Sequence, residues 1–268
     1  VTNSNIFGRY FERLGLNSTI PSLELVAQIQ ERHLATFCFN GLAPILRQTI
    51  SLEIEDIVVK VVEKNLGGYC FEQNMLLQYA LEYLGFEMRI LIGKVVNNQN
   101  IDTPRTHRFC LLSWQGEQYL VDVGFGPNTP RVPIKLQEAV VSKQNRLSYR
   151  LIKNTQQEWQ LEIVKADSYF SLYTFNLGPY TEADCMMGNF YSCQHPNAVF
   201  VNNLVLSKIL PDVTLSLRNN QYHRIGATES EVVGIMSAEQ LQQIIKQDFN
   251  IELSDEDCAD LARRFCRQ

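Results

Sequence analysis

Residues 66–74 read LGGYCFEQN, and the run FEQNMLLQYALEYLGF follows directly. Two glycines make a turn. Phe71, Leu77, Leu81 and Leu84 then recur near helical spacing until Gly85 offers a stop. Cys70 therefore stands at a predicted helix N-terminus, where free N–H groups and the positive end of the helix dipole favour an anion. A thiol placed there has a depressed pKa and is more available as a nucleophile. The glycines would let backbone and substrate come close to the sulfur. From this pattern alone Cys70 reads equally well as a reactive thiol or as a small core residue at a helix start.

The texture changes on either side of this junction. Upstream the chain reads as helical: SLELVAQIQERHLATF places Leu23, Val26, Ile29 and His33 near one face, and SLEIEDIVVKVVEKN reads as a further helix with Ser51 at its N-cap. From about residue 88 the segments MRILIGKVV, HRFCLLSW, QYLVDVGFG, RLSYRLIK and EWQLEIVK are short and rich in β-branched and aromatic residues, with turn residues between them. They predict an antiparallel sheet or small barrel. From about residue 190 the pattern is mixed. AVFVNNLVLSKIL and VTLSLRNNQYHRIGA read as strands, while SAEQLQQIIKQDF and SDEDCADLARRF read as helices opened by capping-box pairs, Ser237 with Gln240 and Ser254 with Asp257. Helices, then strands, then a mixture predict an α+β protein of three subdomains.

Composition bounds the function. The chain has 268 residues, 45% of them hydrophobic, which is ample for a buried core. The net charge is −5 and basic residues are scattered, so neither nucleic acid nor a membrane surface is an expected partner. No apolar run approaches the ~18 residues that span a bilayer, and VTNSNIFGRYFERL lacks the apolar core of a signal peptide. Seven cysteines, an odd number loosely spaced, do not form a secreted disulfide framework. A reducing, cytoplasmic location is expected, with at least one thiol free to act.

Several common chemistries fail on spacing. The GFG at 124–126 follows a strand, but Thr129 occupies the place of a third glycine. There is no phosphate-binding GxxxxGK[ST] loop and no GxSxG elbow. Cys185, Cys193 and His195 lie near one another in sequence without CxxC or HExxH spacing, so no metal is expected. Cys258 and Cys266 belong to a polar terminal helix and read as inert.

A nucleophilic cysteine needs a base, and the base needs an orienting group. The chain has four histidines. His33 reads as the edge of a helical core face, and His195 and His223 stand in loop-like contexts. His107 opens the strand HRFCLLSW, which WQGEQ joins to QYLVDVGFG. With an even-numbered loop, His107 and Asp122 share a face, directly opposite if the loop is Trp114-Gln115 and one diagonal step apart if it runs over 114–117. Asp122 lies between Val121 and Val123, where a carboxylate without a partner would be costly. Cys70, His107 and Asp122 can thus form a Cys–His–Asp triad drawn from a helix start and a hairpin, the core of a cysteine-protease-like site.

Three segments now in view, GGYCFEQN at 67–74, THRFCLL at 106–112 and YLVDVGFG at 119–126, resemble the arylamine N-acetyltransferases in order and spacing. HLATFCFNGL at 33–42 resembles a drifted form of that family's early HxxxxPFENL segment, and YTFNLGPYTEADCMMGNFYSCQHPNAVF its stretch after the barrel. The resemblance weakens after residue 205. It implies an N-terminal helical bundle over 1–87 carrying the nucleophile, a central antiparallel β-barrel over 88–190 carrying His107 and Asp122, and a C-terminal α/β lid over 191–268. It implies acetyl transfer from acetyl-CoA, as co-substrate, to a small aromatic amine or hydrazine, and in some members to N-hydroxyarylamines. Two departures stand out: Leu66 replaces the family's Arg before the Gly-Gly, and Asn40 replaces its Glu, the two being an ion pair in the family. Losing both partners of a buried pair can be nearly neutral, whereas losing one strands a charge.

The resemblance also implies a ping-pong route through acetyl-Cys70, with His107 as base and Asp122 fixing its imidazole. The oxyanion would be met by the Cys70 N–H and an N–H from the 124–126 region. Phe39, Val95, Phe125 and Phe200 would line the acceptor slot, and Gly126 would leave the coenzyme A channel open. For Phe125 the chain adds its own reason, since it sits between two glycines just past Asp122. The triad alone also fits a hydrolase or a transglutaminase-like acyltransferase, and the fold could persist as a non-catalytic binding module.

Overall fold

The protein is described by a computed structural model covering residues 4–16, 19–99 and 101–266. The Gly-Gly turn delivers the chain into the helix Cys70–Tyr83, so Cys70 is its first residue. Gly67 is required there twice over: its φ is +63°, and a Cβ would lie 2.0 Å from the Cys38 carbonyl oxygen. Glu72, in the first turn, accepts the N–H of Tyr69 at 3.1 Å and pairs with Lys60 at 2.6 Å. Nearly the whole helix is buried. Its apolar residues Leu76, Leu77 and Leu81 join Tyr10, Val26 and Ile29 of the helices Ser4–Arg13 and Leu23–Thr36 in one core.

The predicted second amphipathic stretch is helical over Ile54–Ile57 and continues as a wider π-helical turn over Val58–Glu63. Ser51 is not its N-cap. The Ser51 hydroxyl accepts the N–H of Glu53 at 3.1 Å, a local turn, and the helix begins after Glu53.

The strand-rich middle forms one eight-stranded antiparallel sheet that curls into a nearly closed barrel. Its strand Arg105–Trp114 lies between Glu87–Val95 and Glu117–Val121. Phe109 and Leu111 enter the barrel core with Tyr173 and Phe175, while Cys110 and Leu112 face the helices. Burial on both faces explains why this strand reads as a continuous apolar run. The connection to the next strand is a two-residue turn at Gln115-Gly116, with φ of +50° and +80°, and Trp114 pairs with Glu117. Positive φ at both positions matches the twist of a tight hairpin.

A second, five-stranded antiparallel sheet orders Phe39–Asn40, Val205–Ile209, Thr214–Arg218, Gln221–Ile225 and Ser230–Gly234. The helices Ala238–Phe249 and Asp255–Phe265 cover it, burying Leu241, Ile245, Phe249 and Leu261 against Leu206, Leu215 and Leu217. Ser237 and Ser254 cap these helices, accepting from Gln240 N and Asp257 N. The Gln240 side chain accepts from Met236 N rather than closing the box on Ser237. His223 lies on a strand, not in a loop. The expected strand AVFVNNLVLSKIL is shorter than predicted. Val199–Asn202 form a helical turn fastened by Asn202 Nδ2, which donates to the Ala198 carbonyl at 2.9 Å, and the strand starts at Val205.

His33 is fully buried rather than at a core edge. Gln73 Nε2 donates to the Cys38 and Gly68 carbonyls, so Gln73 Oε1 faces His33 Nε2 as an acceptor and the proton belongs on that nitrogen. Nδ1 then accepts from the Tyr10 hydroxyl at 2.8 Å. Burial lowers the His33 pKa from 6.5 to about 4, the Gln73 bond opposing it. The unfolded chain therefore binds a proton that the folded one refuses between these values. Stability contributed by His33 is whole above pH 6.5 and is lost as pH falls toward 4, by up to about 3 kcal/mol. Denaturant unfolding across that range should show His33→Gln with a flatter acid limb than the parent; parallel limbs would refute this account.

Candidate active site

Three elements bring the site together. The helix supplies Cys70, strand Arg105–Trp114 supplies His107, and the residue just after strand Glu117–Val121 supplies Asp122. The pairing places Cys110 opposite Val121, so Asp122 falls one diagonal step from His107 on the same face. That is the register expected of the longer loop, although Trp114 and Glu117 still pair and the turn itself is only Gln115-Gly116. Asp122 is in the turn beyond the strand, not within it.

His107 Nε2 lies 2.8 Å from Asp122 Oδ2. A carboxylate can only accept, so Nε2 carries the proton and Nδ1 keeps a lone pair. Asp122 is fully buried, yet its two oxygens are met by four donors. Oδ1 accepts from Asn74 Nδ2 at 3.0 Å and from the Gly124 N–H at 2.8 Å. Oδ2 accepts from His107 and from the Tyr173 hydroxyl at 3.1 Å. Desolvation alone would raise the Asp122 pKa; His107 and these hydrogen bonds more than offset it and hold it below the ordinary carboxylate value.

The Cys70 sulfur lies against the backbone on both sides of His107. It is 3.5 Å from the Thr106 carbonyl oxygen, and the N–H groups of Arg108 and Phe71 are directed at it. Burial pushes the thiol up despite those donors. The helix start thus provides N–H groups, as expected of the sequence, but desolvation outweighs them for the sulfur taken by itself. Gly124 makes the close approach possible, since a Cβ there would stand 2.7 Å from Cys70 Cα.

Aromatic rings surround the imidazole. Phe125 meets it edge-on at 4.9 Å, Tyr173 lies at 4.7 Å and Phe109 stacks at 5.6 Å between centroids. Phe39, at 6.0 Å from Phe200, shares an apolar cluster with Tyr69 and Cys70. Val95 pairs with Tyr173 across the sheet, and Gly126, with φ +79°, faces Phe39 and Ser207. Phe39, Val95, Phe125, Gly126 and Phe200 thus each touch or pair with another residue around Cys70 and His107.

Comparison with known proteins agrees with this geometry. An N-acetyltransferase family model matches residues 22–258. An arylamine N-acetyltransferase from Mycolicibacterium smegmatis is 35% identical over 92% of this chain and 92% of its own. A Salmonella typhimurium arylamine N-acetyltransferase / N-hydroxyarylamine O-acetyltransferase is 32% identical over 92% of this chain and 89% of its own. The chain belongs to the arylamine N-acetyltransferase family. The solved Salmonella typhimurium arylamine N-acetyltransferase superposes with a TM-score of 0.92 at 29% identity, over 99% of this chain and 100% of that one. A Mycobacterium marinum arylamine N-acetyltransferase in complex with CoA gives 0.92 at 25% identity, over 97% and 100%.

Within this N-acetyltransferase, Asn74 and Tyr173 are site residues that the sequence reading passed over. Asn74 lies one helical turn beyond Cys70 and is fully buried. It donates to the Arg108 carbonyl at 2.7 Å as well as to Asp122, and accepts the Val123 N–H at 2.9 Å. A polar residue at i+4 from the cysteine was the available signal. Tyr173, on a distant strand, left none.

Cys193 and His195 engage neighbouring tyrosines. Cys193 lies 3.3 Å from the Tyr69 hydroxyl, and His195 stacks on Tyr191 at 4.4 Å. The departures at 40 and 66 do meet: Asn40 Nδ2 donates to the Leu66 carbonyl at 2.9 Å, while its Oδ1 accepts the Leu42 N–H at 3.2 Å. A neutral side chain bound to backbone stands where the resemblance implies an ion pair, and the Leu66 side chain packs on the C-terminal core.

Two expectations follow. Asn74→Ala should cost about 1–3 kcal/mol in chemical denaturation, since it leaves the buried Val123 N–H unmet and removes one donor from Asp122. An unchanged stability would show that water replaces the amide. Leu66→Arg should destabilise by about 1–3 kcal/mol, and adding Asn40→Glu should recover most of that loss. Additive effects in that cycle would mean the two positions are not coupled.

Proposed function

We propose that this protein transfers acetyl groups from acetyl-CoA to a small aromatic amine or hydrazine by a ping-pong route through acetyl-Cys70. The observation that carries the reading is the chain of contacts from the Cys70 sulfur, past the backbone around His107, to an Asp122 carboxylate held by four donors.

A buried thiol resists ionising alone, so activation is a transfer within a pair. The Cys70 proton passes to His107 Nδ1, and the Asp122 carboxylate on Nε2 stabilises the imidazolium that forms. The thiolate attacks the thioester carbonyl of acetyl-CoA. The new S–C bond forms as the carbonyl π pair moves to oxygen, and the bond to coenzyme A then breaks. His107 returns its proton to the departing thiolate. One thioester replaces another, so little energy changes. An arylamine, largely neutral at pH 7, next attacks the acyl carbon; His107 takes its proton and Cys70 leaves as thiol or thiolate.

The Cys70 N–H is the first candidate oxyanion donor, with an N–H of the Gly124–Gly126 turn as second. The rings of Phe39, Phe125 and Phe200, with Val95 at the end of its strand, supply an apolar acceptor slot. Gly126 keeps a passage open for the pantetheine arm, in line with the CoA complex of the Mycobacterium marinum enzyme. Residues 191–268 would serve as the lid that keeps water from the acyl-enzyme.

Intact-mass spectrometry after mixing with acetyl-CoA, without acceptor, tests this. The expected result is a single acetyl adduct that maps to Cys70, is absent in Cys70→Ala, and disappears on adding an arylamine. An adduct that decays as fast without amine would make the protein a hydrolase. Absence of any adduct on folded protein would leave a binding module.

A further inference from the structure

Outside the acetyl-transfer site, one small cavity lies where the barrel meets the C-terminal sheet. Thr129, Arg131, Gln144, Arg146, Tyr149 and Thr214 are among its walls. Its free space amounts to about 10 Å³ for the centre of a water-sized particle, room for one water molecule or one ion of similar size.

The walls are unusual in charge. Two guanidinium groups line the same hole and no carboxylate does. Neither arginine forms an ion pair among the described residues. Their hydrogen bonds go to neutral acceptors on the C-terminal sheet. Arg131 Nη2 donates to the Leu210 carbonyl at 2.6 Å, and Arg146 Nη2 donates to Thr214 Oγ1 at 2.6 Å. Arg146 Nε is buried with no acceptor, which is rare in a native interior.

Two polar side chains of the wall are engaged with backbone. Gln144 Oε1 takes the N–H groups of Arg131 and Val132. The Tyr149 hydroxyl donates to the Asn128 and Thr129 carbonyls. Burial and the neighbouring charge of Arg146 lower the Arg131 pKa, while Glu31 and Asp212 act on it in the opposite sense from outside the wall. Two like charges, an unmet N–H and a water-sized space lack only a counter-charge. A phosphate or carboxylate would not fit the space as it stands.

We infer that this cavity binds one small monovalent anion of chloride size, held between Arg131 and Arg146 and linking the barrel to the C-terminal sheet. The anion neutralises the charge repulsion at that junction and accepts the Arg146 Nε–H. It binds the folded chain alone, so it stabilises the protein by mass action.

Two measurements on the intact protein test this. Crystals soaked in bromide should show an anomalous peak between Arg131 and Arg146. The Tm should rise saturably, by about 2 °C or more, when chloride replaces gluconate at constant ionic strength, and Arg146→Gln should abolish that difference. If the variant does not fold, the wild-type peak and titration still decide. A water in place of the peak, or equal Tm in both salts, overturns the inference. A peak without halide-specific stabilisation marks an adventitious ion only and overturns it too, as does stabilisation by phosphate with none by chloride.

Discussion

The carboxylate of Asp122 is the constraint around which the protein is arranged. A buried charge is tolerated only when its lone pairs are met and an opposite charge is within reach. Asp122 takes its four donors from a helix, two barrel strands and its own turn. Removing any one of these elements would leave the charge short of a partner. The helix that carries Cys70 is therefore tied to the barrel by Asn74 at the same point where the imidazole is fixed. Stability and the placement of Cys70 have one physical cause.

A second seam ties the same helix to the C-terminal sheet. Asn40 N donates to the Gly68 carbonyl and Gly68 N to the Cys38 carbonyl, while Phe39 pairs with Ser207 on the neighbouring strand. Gln73 reinforces the seam from one side through two carbonyls, and Asn40 closes it from the other through Leu66. Positions 40 and 66, where the resemblance implies a charged pair, lie on this seam. Here a backbone acceptor does the same joining, which is why the loss of both charges leaves no stranded group.

The legible parts of the sequence were those governed by local rules. The Gly-Gly turn, the helix at Cys70 and the even hairpin that aligns His107 with Asp122 follow from φ preferences and strand alternation. The helix Glu182–Gln194 follows no such rule. Its Met186, Met187 and Phe190 are exposed, while Cys185, Gly188 and Ser192 are buried, so its apolar residues do not mark its inner face. Gly188 faces inward because a Cβ there would meet Phe71 at 2.7 Å, a tertiary demand invisible to periodicity. Tyr173 was silent for the same reason. One more tyrosine in an aromatic strand gives no sign that its hydroxyl reaches a carboxylate contributed 51 positions earlier.

The burial of Cys70 carries the last step. A helix N-terminus lowers a thiol pKa most effectively when the sulfur is also near water or a cation. Here desolvation works against ionisation, and the N–H groups of Arg108 and Phe71 only moderate it. On the proposed route the thiolate forms together with an imidazolium, as a pair with no net charge, beside the Asp122 carboxylate. Such a site discriminates by proton position. On the proposed route it would leave the sulfur quiet when His107 does not accept, and would keep the acyl-enzyme in surroundings poor in water. Depressing the thiol pKa by exposure would give a more nucleophilic resting state, but would open the thioester to hydrolysis. For the route proposed above, burial of Cys70 would protect the intermediate at the expense of a reactive resting thiol.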